Sequence, residues 1–124
     1  MKKIGSLVSV VDDDESIRES LPDLLRELGF QARVFSSAAE FLASDCIGET
    51  KCLILDVAMP GMTGPDLQME LAQRRQMIPI VFITAHSSGS VRLRLLKQGA
   101  VECLIKPFSD TALLDALNAA LKES

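Results

Sequence analysis

Four apolar runs in this chain each end in a side chain that could do chemistry. Leu7-Val8-Ser9-Val10-Val11 runs into Asp12-Asp13, Cys52-Leu53-Ile54-Leu55 into Asp56, Ile80-Val81-Phe82-Ile83 into Thr84, and Leu104-Ile105 into Lys106-Pro107. If the ends of these runs meet, three carboxylates share one place. A pair of them ~4 Å apart repels by about 4 kcal/mol at an effective dielectric near 20, so something must offset the charge. Lys106 supplies one positive charge. A divalent cation could supply the rest, and an all-oxygen carboxylate site suits Mg²⁺, which keeps several waters and takes few protein ligands. Asp56 stands out among the three. It closes an apolar run that would normally be buried, and Met59-Pro60-Gly61 forces a turn soon after. That is where open α/β sheets place their ligands.

The elements that must position these residues follow from periodicity. Leu7–Val11 is β-branched and nearly continuous, the pattern of a strand covered on both faces. Ile17, Leu21, Leu24, Leu25 and Leu28 then form one stripe of a helix, with Asp14 as N-cap and Gly29 as C′ residue. Pro22 falls inside it, where a proline costs about 3 kcal/mol. The expectation is a kink there or a helix that becomes regular only afterwards. Gln31–Phe35 is a less apolar strand, nearer an edge, and Ser36 or Ser37 caps a helix carrying Phe41 and Leu42. Cys52–Asp56 is the third strand. Gly64-Pro65 opens the next helix, with Pro65 expected at N1 and Leu67 and Leu71 facing inward.

Ile78–Thr84 reads as the fourth and most apolar strand, with Pro79 tolerated near its start. Between Ser90 and Gly99 the apolar residues Val91, Leu93, Leu95 and Leu96 make no clean stripe, and Arg92 and Arg94 interrupt them, so apolar surface is expected outside. Glu102–Ile105 is the fifth strand. Phe108, Ser109 and Leu113 have the N′, N-cap, N4 spacing of a hydrophobic staple, and Leu114, Leu117 and Leu121 complete the last helix's inner face. Strands alternating with helices five times imply an α/β fold with a parallel sheet, right-handed crossovers and the strand ends on one rim.

Composition excludes several classes. With 124 residues, 48% hydrophobic and 24% charged, the chain fits one domain, residues 1–124, with a real core. A net charge of −4 without a basic cluster argues against direct nucleic-acid binding, because phosphate neutralisation supplies most of that affinity. No apolar run nears the ~18 residues that span a bilayer, and the Met1-Lys2-Lys3 start lacks a cleavage signature, which reads as cytosolic. Cys46, Cys52 and Cys103 are odd in number and have no C-x-x-C spacing, and His86 is the single histidine, so thiol-ligated zinc is disfavoured. Three reduced cysteines acting as small hydrophobes is the plainer reading. Plainer readings exist for the reactive residues too. A cap accounts for Asp14 and could account for Asp13, but not for Asp12 as well. A lysine after a strand is usually a solvated charge. Four strand ends with complementary chemistry are harder to dismiss together.

These residues also carry a family resemblance that covers essentially the whole chain. Val11-Asp12-Asp13-Asp14, Asp56 with Met59-Pro60-Gly61-Met62-Thr63-Gly64, Ile83-Thr84-Ala85-His86, Gly99-Ala100 and Lys106-Pro107-Phe108 resemble the receiver domain of two-component response regulators. The stretch Val34 to Leu42 resembles the FixJ/NarL-like subgroup, usually fused to a helix-turn-helix output domain. The resemblance implies a (βα)5 flavodoxin-like three-layer sandwich with strand order 2-1-3-4-5. It implies Asp56 as the nucleophile that accepts a phosphoryl group from a phosphohistidine of a sensor histidine kinase or phosphotransfer protein. Asp13, Asp56 and the main-chain carbonyl of Ala58 would hold Mg²⁺ or Mn²⁺, with Asp12 acting through a coordinated water. Lys106 and Thr84 would assist, and Lys106-Pro107 would be a cis peptide. Phosphorylation would draw Thr84 inward and change conformation, with homodimerisation and transcriptional control through an output domain outside this chain.

The family's aromatic residue on the fifth strand is replaced by Cys103, which offers no ring to follow Thr84. His86 is expected at the edge of the site, tuning access. Arg92, Leu93 and Arg94 are candidate partner contacts. Three rival readings remain. A metal-dependent aspartyl-phosphate phosphatase would carry a second Asp two residues after the nucleophile, where this chain has Ala58. A flavin- or nucleotide-binding module would need a Gly- or Ser/Thr-rich loop in place of Asp12-Asp13-Asp14-Glu15. A receiver that works without phosphorylation would not need the intact acidic set.

Overall fold

The structure is a computed structural model that describes residues 5–85 and 89–122. Elements alternate as β1 (Leu7–Val11), α1 (Glu15–Glu27), β2 (Gln31–Phe35), α2 (Ala38–Ala43), a short 3₁₀ turn (Ile47–Glu49), β3 (Thr50–Asp56), α3 (Gly64–Gln73), β4 (Ile80–Thr84), α4 (Gly89–Lys97), β5 (Glu102–Ile105) and α5 (Asp110–Lys122). The five strands form one parallel sheet in the order β2-β1-β3-β4-β5. The expected fold class and strand order hold, and β2, the least apolar strand, is an edge strand.

Period-two alternation divides the strand side chains between two cores. Val8, Val10, Cys52, Ile54, Val81 and Ile83 pack with Leu21, Leu25, Leu113 and Leu117 of α1 and α5. On the other face Val11, Leu53, Leu55, Ile80 and Phe82 pack with Phe41, Leu67, Leu71 and Leu95 of α2, α3 and α4. With both faces covered, the strands must be apolar throughout.

Helix ends follow the capping expectations with one correction. The Asp14 side chain accepts from the Ser16 N–H, Ser37 rather than Ser36 caps α2, and Ser109 accepts from the Ala112 N–H. Phe108 lies half-buried against the core that holds Leu113, as the staple requires. Thr63, however, is the N-cap of α3 and exchanges capping-box bonds with Asp66, so Gly64 is N1 and Pro65 falls at N2. The first-turn N–H that Pro65 lacks has no intrahelical partner at either place. Of the two expectations for Pro22, α1 excludes one. It runs unbroken from Glu15 to Glu27 with Pro22 buried inside it, which excludes a helix that is regular only after Pro22. Burial of Leu21 and Leu25 on the same face offsets the missing bond.

Strand ends differ slightly from expectation. β3 begins at Thr50, and β4 begins at Ile80, which leaves Ile78 and Pro79 in the preceding loop. In α4 only Leu95 is buried, while Leu93 is 58% exposed, so apolar surface is indeed left outside. In α5 Leu117 and Leu121 are buried and Leu114 is half-buried at the margin. Among the described residues no helix is long and apolar enough to cross a membrane.

Candidate functional site

Asp12, Asp56 and Lys106 each lie two residues beyond a side chain of the α1/α5 core, namely Val10, Ile54 and Leu104. The period of two therefore points all three the same way, and the parallel register brings their strand ends side by side. The sheet bonding continues past the strands: Asp12 N–H donates to Phe35 O (3.1 Å), Val57 N–H to Ile83 O (3.0 Å) and Lys106 N–H to Thr84 O (2.8 Å). Each chemical residue thus leaves a fully bonded frame.

The Lys106 ammonium is 2.9 Å from Asp12 Oδ2 and 3.9 Å from Asp56 Oδ1. One carboxylate oxygen from each of Asp12, Asp13 and Asp56 lies within 4.8 Å of the other two. Asp12 is fully buried and Asp56 nearly so, whereas Asp13 is exposed at the mouth. Oδ1 of Asp12 accepts from the Asp14 N–H at 2.9 Å. Its buried Oδ2 has no well-directed hydrogen bond and faces only the ammonium's charge.

Burial pushes the Asp56 carboxyl up to about 7, and the neighbouring Asp12 charge adds to this, while Lys106 pulls it down. For Lys106 burial disfavours the ammonium, but its contact with Asp12 and the charges of Asp12, Asp56 and Asp14 more than compensate, and its pKa rises. The lysine is thus a fixed cation, and the cluster remains one positive charge against three carboxyls. That deficit and the all-oxygen donor set fit a small divalent cation. Its binding would displace the proton that Asp56 otherwise holds near neutrality.

Thr84 ends β4, buried, and the Lys106–Pro107 peptide is cis. Ala58 is exposed in the loop two residues past Asp56. Thr84, Lys106, Asp12, Asp13 and Asp56 therefore share one rim, and Ala58 lies in a loop that leaves it. His86 lies outside the described residues. Cys103 is buried between β4 and α4, paired in register with Phe82. Burial pushes its thiol pKa up, Arg92 opposing and Glu102 adding to the shift, which argues against a thiolate role. All three cysteines are free and buried, in keeping with small hydrophobes. Arg92 is part-exposed and already ion-paired. Its guanidinium meets Glu102 Oε1 at 2.6 Å and reaches the Cys103 carbonyl at 3.5 Å, while Leu93 and Arg94 beside it are exposed.

Two contributors were not legible as site residues. Gly64 closes the loop after Asp56 with its N–H on Val57 O at 3.0 Å. A Cβ there would collide with the Asp56 carbonyl oxygen and come within 3.0 Å of the Phe82 ring and 3.1 Å of Val57 Cα. Arg18, on the outer side of α1, donates to the Asp12 carbonyl at 3.0 Å. In the sequence Gly64 stood out as a helix opener and as the end of the motif after Asp56, without a role at the site, and Arg18 did not stand out at all.

Known proteins agree with this geometry. Residues 8–118 match the family model described as response regulator receiver domain. Nodulation protein W of Bradyrhizobium diazoefficiens is 48% identical over 115 residues, 93% of this chain and 51% of that protein. Response regulator protein TodT of Pseudomonas putida is 40% identical over 98% of this chain and 54% of its own length. The chain thus spans about half the length of the curated relatives it matches. Among solved structures, response regulator StyR superposes with a TM-score of 0.86 at 47% identity, over 94% of this chain and 59% of that one. FixJ-N gives 0.86 at 32% identity, over 100% and 98%. With its acidic cluster, facing lysine and parallel 2-1-3-4-5 sheet all in place, this chain belongs to the receiver domains of the response regulators.

Proposed function

We propose that residues 1–124 form one receiver domain in which Asp56 is the phosphoacceptor, and that the donor is a phosphohistidine on a sensor histidine kinase or phosphotransfer protein. A carboxylate oxygen of Asp56 attacks the phosphorus in line, the P–O bond forms, and the P–N bond to the imidazole breaks with its electron pair returning to the ring. Little covalent help is needed from the protein beyond positioning and neutralisation. Asp13, Asp56 and the Ala58 carbonyl would hold Mg²⁺ or Mn²⁺, with Asp12 one water away. When bound, the cation supplies charge neutralisation at the phosphoryl oxygens. Lys106, already anchored on Asp12 at 2.9 Å, meets another of those oxygens. Thr84 donates from the adjacent strand end.

The observation that carries this reading is a nearly buried Asp56 with two carboxylates within 4.8 Å and an ammonium at 3.9 Å. The added phosphate brings about −1.5 to −2 charges and new acceptors, which bias β4, its following loop and α4 between two arrangements. Leu93 and Arg94 of α4, with Arg92 at their margin, then serve a partner or a second copy. Because the relatives are about twice as long, output through a DNA-binding domain beyond this chain is part of the proposal, and so are a cytoplasmic location and the absence of catalysis on other molecules. A phosphatase reading lacks a carboxylate at Ala58, and a phosphorylation-independent one leaves the acidic cluster unexplained.

The test is acetyl phosphate with Mg²⁺, read by intact mass. We expect one added phosphoryl group, lost in Asp56→Asn and in the presence of EDTA. Labelling that persists in Asp56→Asn refutes the assignment.

A further inference from the structure

We infer that Arg18 is a positioning residue for the metal site, acting through the main chain of Asp12. The inference rests on the proposed cation site. Asp12 is fully buried, and each of its polar groups is taken up. Its N–H bonds Phe35 O, Oδ1 accepts from the Asp14 N–H, and Oδ2 faces Lys106. Its carbonyl, the fourth group, accepts from the Arg18 guanidinium at 3.0 Å.

That carbonyl belongs to the peptide joining Asp12 to Asp13. Asp13 is exposed, so its carboxylate is not held by packing, and its direction depends on the plane of this peptide. Its main-chain N–H makes the ordinary first-turn bond of α1 to the Asp14 carbonyl at 3.1 Å, so the guanidinium of Arg18 is mounted on the helix that starts beside Asp13. The guanidinium therefore ties the Asp12–Asp13 peptide to a rigid helix. Mg²⁺ demands near-octahedral geometry at about 2.0–2.1 Å, and such a site tolerates only about 0.5 Å or 10–20° of misplacement. A guanidinium suits the task because it stays charged and planar and its donors point in fixed directions.

Arg26 offers an internal control on the same helix. Its guanidinium also reaches a main-chain carbonyl, that of Ala32 at 3.4 Å, but away from the acidic rim. The experiment is calorimetric titration with Mg²⁺ alone on the wild type, Arg18→Ala, Arg18→Lys and Arg26→Ala, well below their melting temperatures in EDTA. Arg18→Ala should bind Mg²⁺ about tenfold more weakly, the lower end of what outer partners of metal ligands contribute. Arg18→Lys, which keeps the charge without the fixed fork, should fall between, and Arg26→Ala should match the wild type. Equal affinity in Arg18→Ala and the wild type overturns the inference. So does an equal loss in Arg26→Ala, which would mean a general loosening of α1. Failure of the wild type to bind Mg²⁺ overturns the metal-site reading itself and this inference with it.

Discussion

Asp56→Asn should stabilise the metal-free protein, and the size of the effect should depend on pH. Burial and the Asp12 charge raise the Asp56 pKa from 3.8 to about 7. At 1.36 kcal/mol per pH unit that shift corresponds to about 4 kcal/mol of destabilisation once the group is ionised. Solvent at the exposed mouth beside Asp13 screens part of it, which leaves about 2–3 kcal/mol. The sign follows from linkage. Between about pH 4 and pH 7 the folded state keeps a proton that the unfolded chain has lost, so stability falls as pH rises through that window and levels off above it. Asparagine has the same shape and does not titrate. In EDTA the variant should resemble the wild type near pH 4 and exceed it by the full amount near pH 8, a rise in melting midpoint of about 10 °C. Urea unfolding followed by far-UV circular dichroism at several pH values measures this. Mg²⁺ should close the gap, because it stabilises the wild type by mass action and finds one ligand fewer in the variant. A variant no more stable than the wild type near pH 8, or a gap that does not change with pH, refutes the reasoning.

Three further outcomes follow from single contacts. Gly64→Ala should cost about 2–3 kcal/mol and slow labelling of Asp56, since its methyl meets the Asp56 carbonyl and the Phe82 ring at the base of the loop; chemical denaturation and the acetyl phosphate rate measure the two parts. Arg75→Gly should stabilise by about 0.5–1 kcal/mol in denaturant unfolding, because Arg75 adopts φ 59° at a helix end where α1 and α4 place Gly29 and Gly99. A double-mutant cycle on Arg92 and Glu102 should give a coupling below about 1 kcal/mol, since both side chains of this 2.6 Å pair are about a third or more exposed.

How far the sequence could be read depended on whether a feature is local. Asp14, Ser109 and Gly29 were legible because a cap or a left-handed C′ residue is set within one helical turn. Thr63 was missed as a cap because Gly64-Pro65 gave a louder local signal, although the Thr63…Asp66 spacing for a capping box was present. Pro22 left two outcomes open: its local cost was visible, but the burial of Leu21 and Leu25 that keeps the helix unbroken was not. The uneven pattern of α4 correctly announced exposed Leu93, yet nothing near Arg92 in sequence pointed to Glu102 ten residues away.

The sequence by itself determined that strands alternate with helices, that both faces of the sheet are covered, and which residues stand at the strand ends. Those properties depend on a period of two or of 3.6 and on neighbours a few residues away. Only the tertiary structure decided that Asp12 is fully buried against Lys106 while Asp13 remains at the surface, and that burial pushes the Asp56 carboxyl up to about 7. Only it placed Gly64 against the Asp56 carbonyl and Arg18 on that of Asp12. Desolvation and charge coupling depend on what other strands and helices bring within a few ångströms, and that is fixed by packing across the whole sheet.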